Sequence, residues 1–237
     1  WSSDVCSSDL PRWLRTFSIA ALAALLFDGG QAVGQTPVPS GSTDLSGVWL
    51  ITDKKAATDL SGAGRMPAMR PWADALYKAR LRTGGRDRPS RCLPRGLPGD
   101  MLVPDAPWKI VQAPGTTVVL FGSLHYRQIF TDGRELPREI ELPAWLGYSI
   151  GRWEGDTLVV QTMGFTGETW LDDRGHPHTG DMRLTERFRR TSAKRLEVQV
   201  TIDDLKAYVR RWTMTFSFEL RPESDFTERV CAPPPVQ

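Results

Sequence analysis

Histidine is scarce in this chain, with three among 237 residues, and that scarcity limits the metal chemistry on offer to His125, His176 and His178. Other shortages exclude whole classes. No Gly-x-Ser-x-Gly elbow and no Gly-rich phosphate loop occurs, so a serine hydrolase of that type and a P-loop enzyme are both set aside. Lys and Arg number 30 against 28 Asp and Glu, a formal charge of +2, and the two signs are interspersed. Nucleic acid and anionic lipid surfaces need a larger, one-signed field, so neither is expected as a partner. The longest apolar run, Phe17 to Phe27, falls well short of the roughly 20 residues that cross a bilayer. No membrane span is therefore expected in the mature chain.

That run has a different use. Arg12 and Arg15 precede it and the small, polar DGGQAVGQT comes after it, the charge, core and cleavage pattern of a secretory signal ending near Gly34. The opening WSSDVCSSDL has no relation to the rest of the chain and reads as adapter-like sequence. The chain is thus divided into residues 1–34 (adapter-like residues and export signal), a linker at 35–43, and one domain at 44–237, expected in the periplasm or outside the cell. Cys6 goes with the opening. The remaining pair, Cys92 and Cys231, lies far apart in sequence, and in an exported protein an even pair is most simply a disulfide.

Within the domain one segment reads as helix, RPWADALYKARLR. Pro71 suits the first helical position, Trp72, Ala75, Leu76 and Ala79 are expected on the inner face, and Arg80 and Arg82 weight the C-terminal turn. From Trp108 onward the periodicity is two. WTMTFSFEL alternates Trp212, Met214, Phe216, Phe218 and Leu220 with Thr213, Thr215, Ser217 and Glu219, and RLEVQVTID repeats the pattern with Leu196, Val198, Val200 and Ile202. One face of each meets an apolar interior and the other meets water. Turn chemistry such as DGR (132–134) and EGD (154–156) separates the runs. The fold class expected is mainly β, an antiparallel barrel of about ten strands with one helix.

RLTERFRR contains an exception, because Glu186 falls between Leu184 and Phe188 on one face. Facing inward, its carboxylate needs an Arg, a His, a metal or bound water; with the register reversed it is a surface residue, and both readings stay open.

Gly47, Val48 and Trp49 resemble the G-x-W signature of lipocalin-like barrels, in which the Trp closes the barrel floor. The blocks RQIFTDGRELP, LPAWLGYSIGRWEGDTLVVQTMGF, TWLDDRGHPHTGDMRLTERFRR and LEVQVTIDDLKAY, taken together, resemble an uncharacterised family of exported bacterial β-rich proteins. That resemblance runs from DLSGVW to VCAPP. It implies an export signal and a single β-rich domain, and it brings no catalytic assignment.

These residues support two functional readings. The first is a barrel that binds a small apolar or amphipathic molecule in its interior, with Arg127, Tyr148 and Glu186 orienting the ligand and Trp153 near the mouth. The second is a barrel enzyme, either metal-dependent through the histidines or a metal-free lyase or isomerase. His176 and His178, with His125 and Glu186, are a donor set suited to zinc or iron. Against it, Pro177 between Gly175 and Gly180 reads as a stiffened turn with both imidazoles partly exposed, and His125 is expected apart from them. No metal and no other cofactor is expected.

Overall fold

The structure is a computed structural model and describes residues 43–62, 66–84, 93–224 and 226–227. The readings placed on residues 1–34, on most of the linker, and on Cys92 and Cys231 lie outside the described residues. Among those described, nine strands, β1 (Gly47–Ile51), β2 (Trp108–Ala113), β3 (Thr116–Phe121), β4 (Tyr126–Phe130), β5 (Tyr148–Glu154), β6 (Thr157–Met163), β7 (Arg183–Ser192), β8 (Arg195–Asp203) and β9 (Trp212–Leu220), succeed one another around a closed barrel. Between β1 and β2 the described residues hold two α-helices: α1 (Lys54–Thr58), little more than one turn, and α2 (Pro71–Thr83). No helix among the described residues is long and apolar enough to cross a membrane.

The expected alternation is observed where it was strongest. Leu196, Val198, Val200 and Ile202 of β8 and Phe218 of β9 have no accessible surface, and Trp212, Met214 and Phe216 have almost none. These residues face the barrel interior with Trp49, Trp108, Ile110, Val119, Leu158, Val160 and Phe188 in one apolar cluster. The outer faces are polar. Arg187 pairs with Glu154 at 2.9 Å and Arg189 with Asp156 at 2.9 Å across the outside of β5 to β7.

Two features depart from the sequence reading. The strands in the ring number nine, since Phe226 and Thr227 of the expected tenth run form no strand. The barrel is also mixed, and the two departures have one cause. In a closed ring of strands, uniform alternation of direction requires an even count; nine strands force an odd number of parallel pairs. Here β1 and β9 close the ring antiparallel, and the parallel pair is β4 with β5. The DGR turn therefore starts no hairpin. It opens the connection 131–147, which carries the chain back to the end of the barrel from which β4 began.

Strand directions then give the barrel two unlike ends. At one, the connections are tight turns: Pro114 and Gly115, Gly155 and Asp156, Ala193 and Lys194. Close to that end Trp49 is fully buried, its indole N–H donates to the Leu45 carbonyl at 2.9 Å, and the Arg190 guanidinium lies 5.2 Å from its ring. At the other end gather the long connections: the described residues of 52–107 with both helices, 164–182 with the two histidines, and 204–211. They form a cap.

Helix α2 belongs to this cap and shows a different face from the one expected. Trp72 is 45% exposed, whereas Ala73 is fully buried, and Tyr77 and Arg80 turn inward beside it. The surface beneath the helix is a polar loop, so the inner face holds residues that bond to that loop instead of the most apolar stripe. Gly84 ends the helix at φ +61°, the left-handed conformation that glycine adopts without a Cβ clash.

The register of β7 is now fixed: Glu186 faces inward and is fully buried. Its carboxylate is held by Arg127 of β4, with Nη2 to Oε2 at 2.5 Å and Nη1 to Oε1 at 3.1 Å. Arg127 also donates from Nε to the Ser149 hydroxyl of β5 at 2.9 Å and from Nη2 to the Thr162 hydroxyl of β6 at 2.7 Å. Removing one member leaves the other charge buried and unpaired, so Glu186→Ala is expected to cost about 3–5 kcal/mol in urea denaturation. The double replacement Arg127→Met with Glu186→Leu should recover most of that loss. A single variant as stable as the parent would show that the pair contributes nothing to the fold.

Candidate functional site

Most of the buried polar groups fall into two sets, Thr117, Thr157 and Arg190 standing apart. One lies within the barrel: Arg127, Ser149, Thr162 and Glu186, bonded to one another. The other lies in the cap: Asp100, Thr169, Asp172, His176, His178 and Asp204. The barrel set is closed upon itself. Arg127 and Glu186, expected to orient an interior ligand, are committed to each other, and their neighbours are the large apolar side chains of the interior. Tyr148 sits on the outer face, its ring tilted at 32° to that of Phe130 with centroids 5.3 Å apart and its hydroxyl accepting from Arg134. It is therefore not a partner of Arg127 and Glu186. Trp153 is half-buried against the core. Its ladder partner is Leu158, at the tight-turn end of β5 and β6.

The histidines also stand differently from expectation. His176 and His178 are 2% and 4% exposed, because the loop that holds them lies under α2 instead of projecting from the rim. Arg80 donates to the Gly175 carbonyl at 2.9 Å, and its guanidinium is 4.8 Å from the Trp170 ring. A side chain at Gly175, where φ is +91°, would meet Arg80 at about 3.0 Å. His125 lies in the β3–β4 turn, half-buried, with Nδ1 at 3.2 Å from the Ser123 hydroxyl. The three imidazoles and Glu186 form no common donor set among the described residues.

Two carboxylates build the cap. Asp172 Oδ1 accepts the amides of Arg174, Gly175 and His176 at 3.1, 3.1 and 3.2 Å, while Oδ2 accepts the Leu60 amide at 2.8 Å and lies 2.6 Å from His176 Nδ1. Asp204 accepts the amides of Thr179 and Ala207 and the Thr179 hydroxyl. Tyr208 joins the two loops by donating to the Pro177 carbonyl at 2.9 Å, and its burial pushes the phenol far above its ordinary range. His176 stacks on Tyr77 at 4.2 Å and 17°.

Asp59, Asp172 and His176 bring donor atoms within 4.8 Å of one another. As a metal site this trio is poor, because both Asp172 oxygens are already occupied by five N–H groups, one of them the imidazole itself. Asp59 is partly buried. Burial opposes its ionised form, but bonds from the Ser61 hydroxyl and amide, with help from His176 and Arg174, outweigh that and hold its carboxyl below the usual value.

Elsewhere in the cap a cavity of about 170 Å³ is lined by Arg95, Asp100, Val103, Phe121, Ser123 and Phe226, among others. Arg95 connects it to the histidine loop through an ion pair with Asp173 at 2.7 Å.

No family model, no curated protein and no solved structure matches this chain. The site is read from its own chemistry.

Asp59, Tyr77, Asp172, Asp204 and Tyr208 were not singled out by the sequence reading, and Arg80 was named there only as a charge in the last turn of the helix. One signal was present: Asp172 and His176 are four apart in DDRGH, a spacing at which one carboxylate reaches both the succeeding amides and an imidazole when a glycine lets the chain turn.

His178 provides a test of the burial. Its Nδ1 donates to the Thr179 carbonyl at 3.0 Å and its Nε2 accepts from the Thr169 hydroxyl at 2.6 Å, reading the tautomer from these partners. Burial pushes its pKa down; the Thr179 bond and Asp204 oppose this without overcoming it. Unfolded, the ring takes up a proton near pH ~6.5, so just below that value the unfolded state binds more protons and stability falls as pH falls, by at most about 1.4 kcal/mol per pH unit. Between about pH 7.5 and 5.5 the drop in Tm is expected to be larger for the parent than for His178→Gln. Equal drops would place the pH dependence on other groups.

Proposed function

We propose that this protein is an exported barrel that binds a small molecule at its capped end. The observation that carries the reading is the cap cavity beside Arg95 and the buried Asp100, set against an interior occupied by the barrel's own aromatic and aliphatic side chains. At about 170 Å³ the cavity is smaller than the roughly 300–1,000 Å³ of drug-sized sites. A compact ligand fits it, with an apolar part against Phe121 and Phe226 and a polar part toward Arg95 and Ser123. This keeps an amphipathic ligand and moves it out of the strand-lined interior.

The lipocalin-like reading is supported by Trp49, which packs near the tight-turn end as the G-x-W resemblance implies. Export rests on the signal-like segment and on the resemblance to exported β-rich proteins. The same cavity supports the Cys92–Cys231 disulfide: Leu93, next to Cys92, and Thr227, four residues before Cys231, both line it. Such a bond would tie together the two segments that wall the ligand site, contributing about 2–4 kcal/mol.

Native mass spectrometry of untagged protein isolated from a periplasmic extract is expected to show an adduct of small mass. Phe121→Trp, which fills the cavity, should remove it, while Tyr148→Phe, on the outer face, should leave it in place. Loss of the adduct in Tyr148→Phe with retention in Phe121→Trp would overturn the assignment. Reduction with a phosphine is expected to lower Tm and weaken the adduct together, and peptide mapping of unreduced protein should recover Cys92 and Cys231 linked.

A further inference from the structure

We infer that the outer surface of the cap, where residues 68–72 pair with 205–209, docks on an anionic lipid bilayer; none of these residues lines the ligand cavity. The pairing is an antiparallel bridge between Met69 and Tyr208, extended by the Arg70 amide donating to the Ala207 carbonyl at 2.7 Å and the Val209 amide to the Ala68 carbonyl at 3.0 Å. It gathers three large apolar side chains at the surface. Trp72 is 45% exposed, Leu205 57% and Val209 47%. Helix α2 extends the apolar area, since Ala75, three residues beyond Trp72, is exposed too. Part of the apolar stripe read from the sequence of this helix therefore faces water.

Positive charge surrounds these side chains. Arg70, Lys206, Arg210 and Arg211 are all exposed, and the carboxylates bonded nearby leave that charge in excess. Asp181 pairs with Lys206, Asp74 is matched by Lys78 at 2.6 Å, and Asp204 is buried, accepting the amides of Thr179 and Ala207. A whole-chain charge of +2 argues against anionic lipid only where the two signs are mixed; on this face they are not. An indole and aliphatic side chains set among Lys and Arg are the composition of a surface that seats its apolar part at the acyl boundary and its cations among lipid phosphates.

The bonding within the surface favours a bilayer over a macromolecule. An added peptide strand needs an open edge, and here the amides of Arg70 and Val209 are already bonded. The Trp72 indole N–H is committed to the Lys206 carbonyl at 2.8 Å and Arg70 Nε to the Leu205 carbonyl at 3.2 Å, so the paired segments can enter a headgroup layer without stranding these donors. Nucleic acid would match the cations but gain nothing from Leu205 and Val209.

The test is co-sedimentation of the full chain with phosphatidylcholine vesicles that contain or lack phosphatidylglycerol. Partition is expected onto the anionic vesicles alone, and it should weaken as salt rises from about 0.1 M to about 1 M. Arg210→Gln with Arg211→Gln should lower it about 25-fold, roughly fivefold for each charge, whereas Lys194→Gln with Arg195→Gln, the same charge change at the tight-turn end, should alter it by less than about twofold. Leu205→Ser with Val209→Ser should lower it about tenfold. Brominated acyl chains are expected to quench the fluorescence of the parent, and Trp72→Phe to lose most of that quenching. Binding through the apolar run at 17–27 would be blind to every one of these substitutions, so equal partition of the parent and of Arg210→Gln with Arg211→Gln, both folded by circular dichroism, would overturn the assignment. So would partition that ignores phosphatidylglycerol, binding to an acidic peptide or to DNA without binding to vesicles, or a dimer in solution that Leu205→Ser with Val209→Ser dissociates while vesicles leave the parent unbound.

Discussion

Everything in this barrel leans on one seam. The ladder between β4 and β5 has two Cα pairs, Ile129 with Ser149 and Phe130 with Ile150, where β7 and β8 share nine. Parallel pairing is also slightly less stable per residue than antiparallel pairing. The Arg127 network crosses this place. Its members come from four consecutive strands, Arg127 from β4, Ser149 from β5, Thr162 from β6 and Glu186 from β7, so a single guanidinium fork laces the seam from the inside. An ion pair placed in an apolar interior is costly, and a hydrophobic substitute could match it in stability. What the substitute lacks is direction. Four N–H groups of a rigid fork meet four acceptor oxygens on three other strands in one register, and a slip of one residue would turn Glu186 or Arg127 out of the barrel.

The closed seam determines where function can sit. Arg127 and Glu186 satisfy each other and the aromatic layers of β1, β2 and β9 fill the space beside them, so the ion pair offers a ligand nothing; the Trp212 indole N–H is a buried donor of the interior without a partner among the described residues. Most of the other buried polar side chains lie in the cap, and so do the irregular segments, since connections tolerate the backbone geometry that strands refuse. The parity of the strands makes the cap heavier still, because the 131–147 connection is one more segment obliged to return to the capped end.

Legibility in the sequence depended on the range of the interactions. The alternation in β8 and β9 could be read directly because each strand's inner and outer faces are written in its own residues. Glu186 was visible as an exception for the same reason, though whether it faced inward was decided by Arg127, 59 residues away. The parallel pair was hidden, because strand parity is a property of the closed ring and DGR is equally good chemistry for a hairpin and for the start of a crossover. The face of α2 was misread because hydrophobic periodicity assumes an apolar surface beneath, and what lies beneath is a loop of carbonyls and imidazoles. Trp72 accordingly points outward, its indole N–H donating to the Lys206 carbonyl at 2.8 Å, while Tyr77 and Arg80 face in.

The histidine loop shows why exposure is so hard to read from local composition. RGHPHTG has the residues of a solvated turn, two glycines, a proline and polar side chains, and in isolation it would be one. It is buried because Asp172 and Asp204 supply acceptors for its amides, so that the loop brings its own hydrogen bonds into the cap and α2 can close over it without leaving those donors unpaired. The two histidines hold this loop at different points. His178 uses both nitrogens to hold the loop together. His176 is fixed through its Nδ1 and its backbone amide by the same carboxylate that organises the turn.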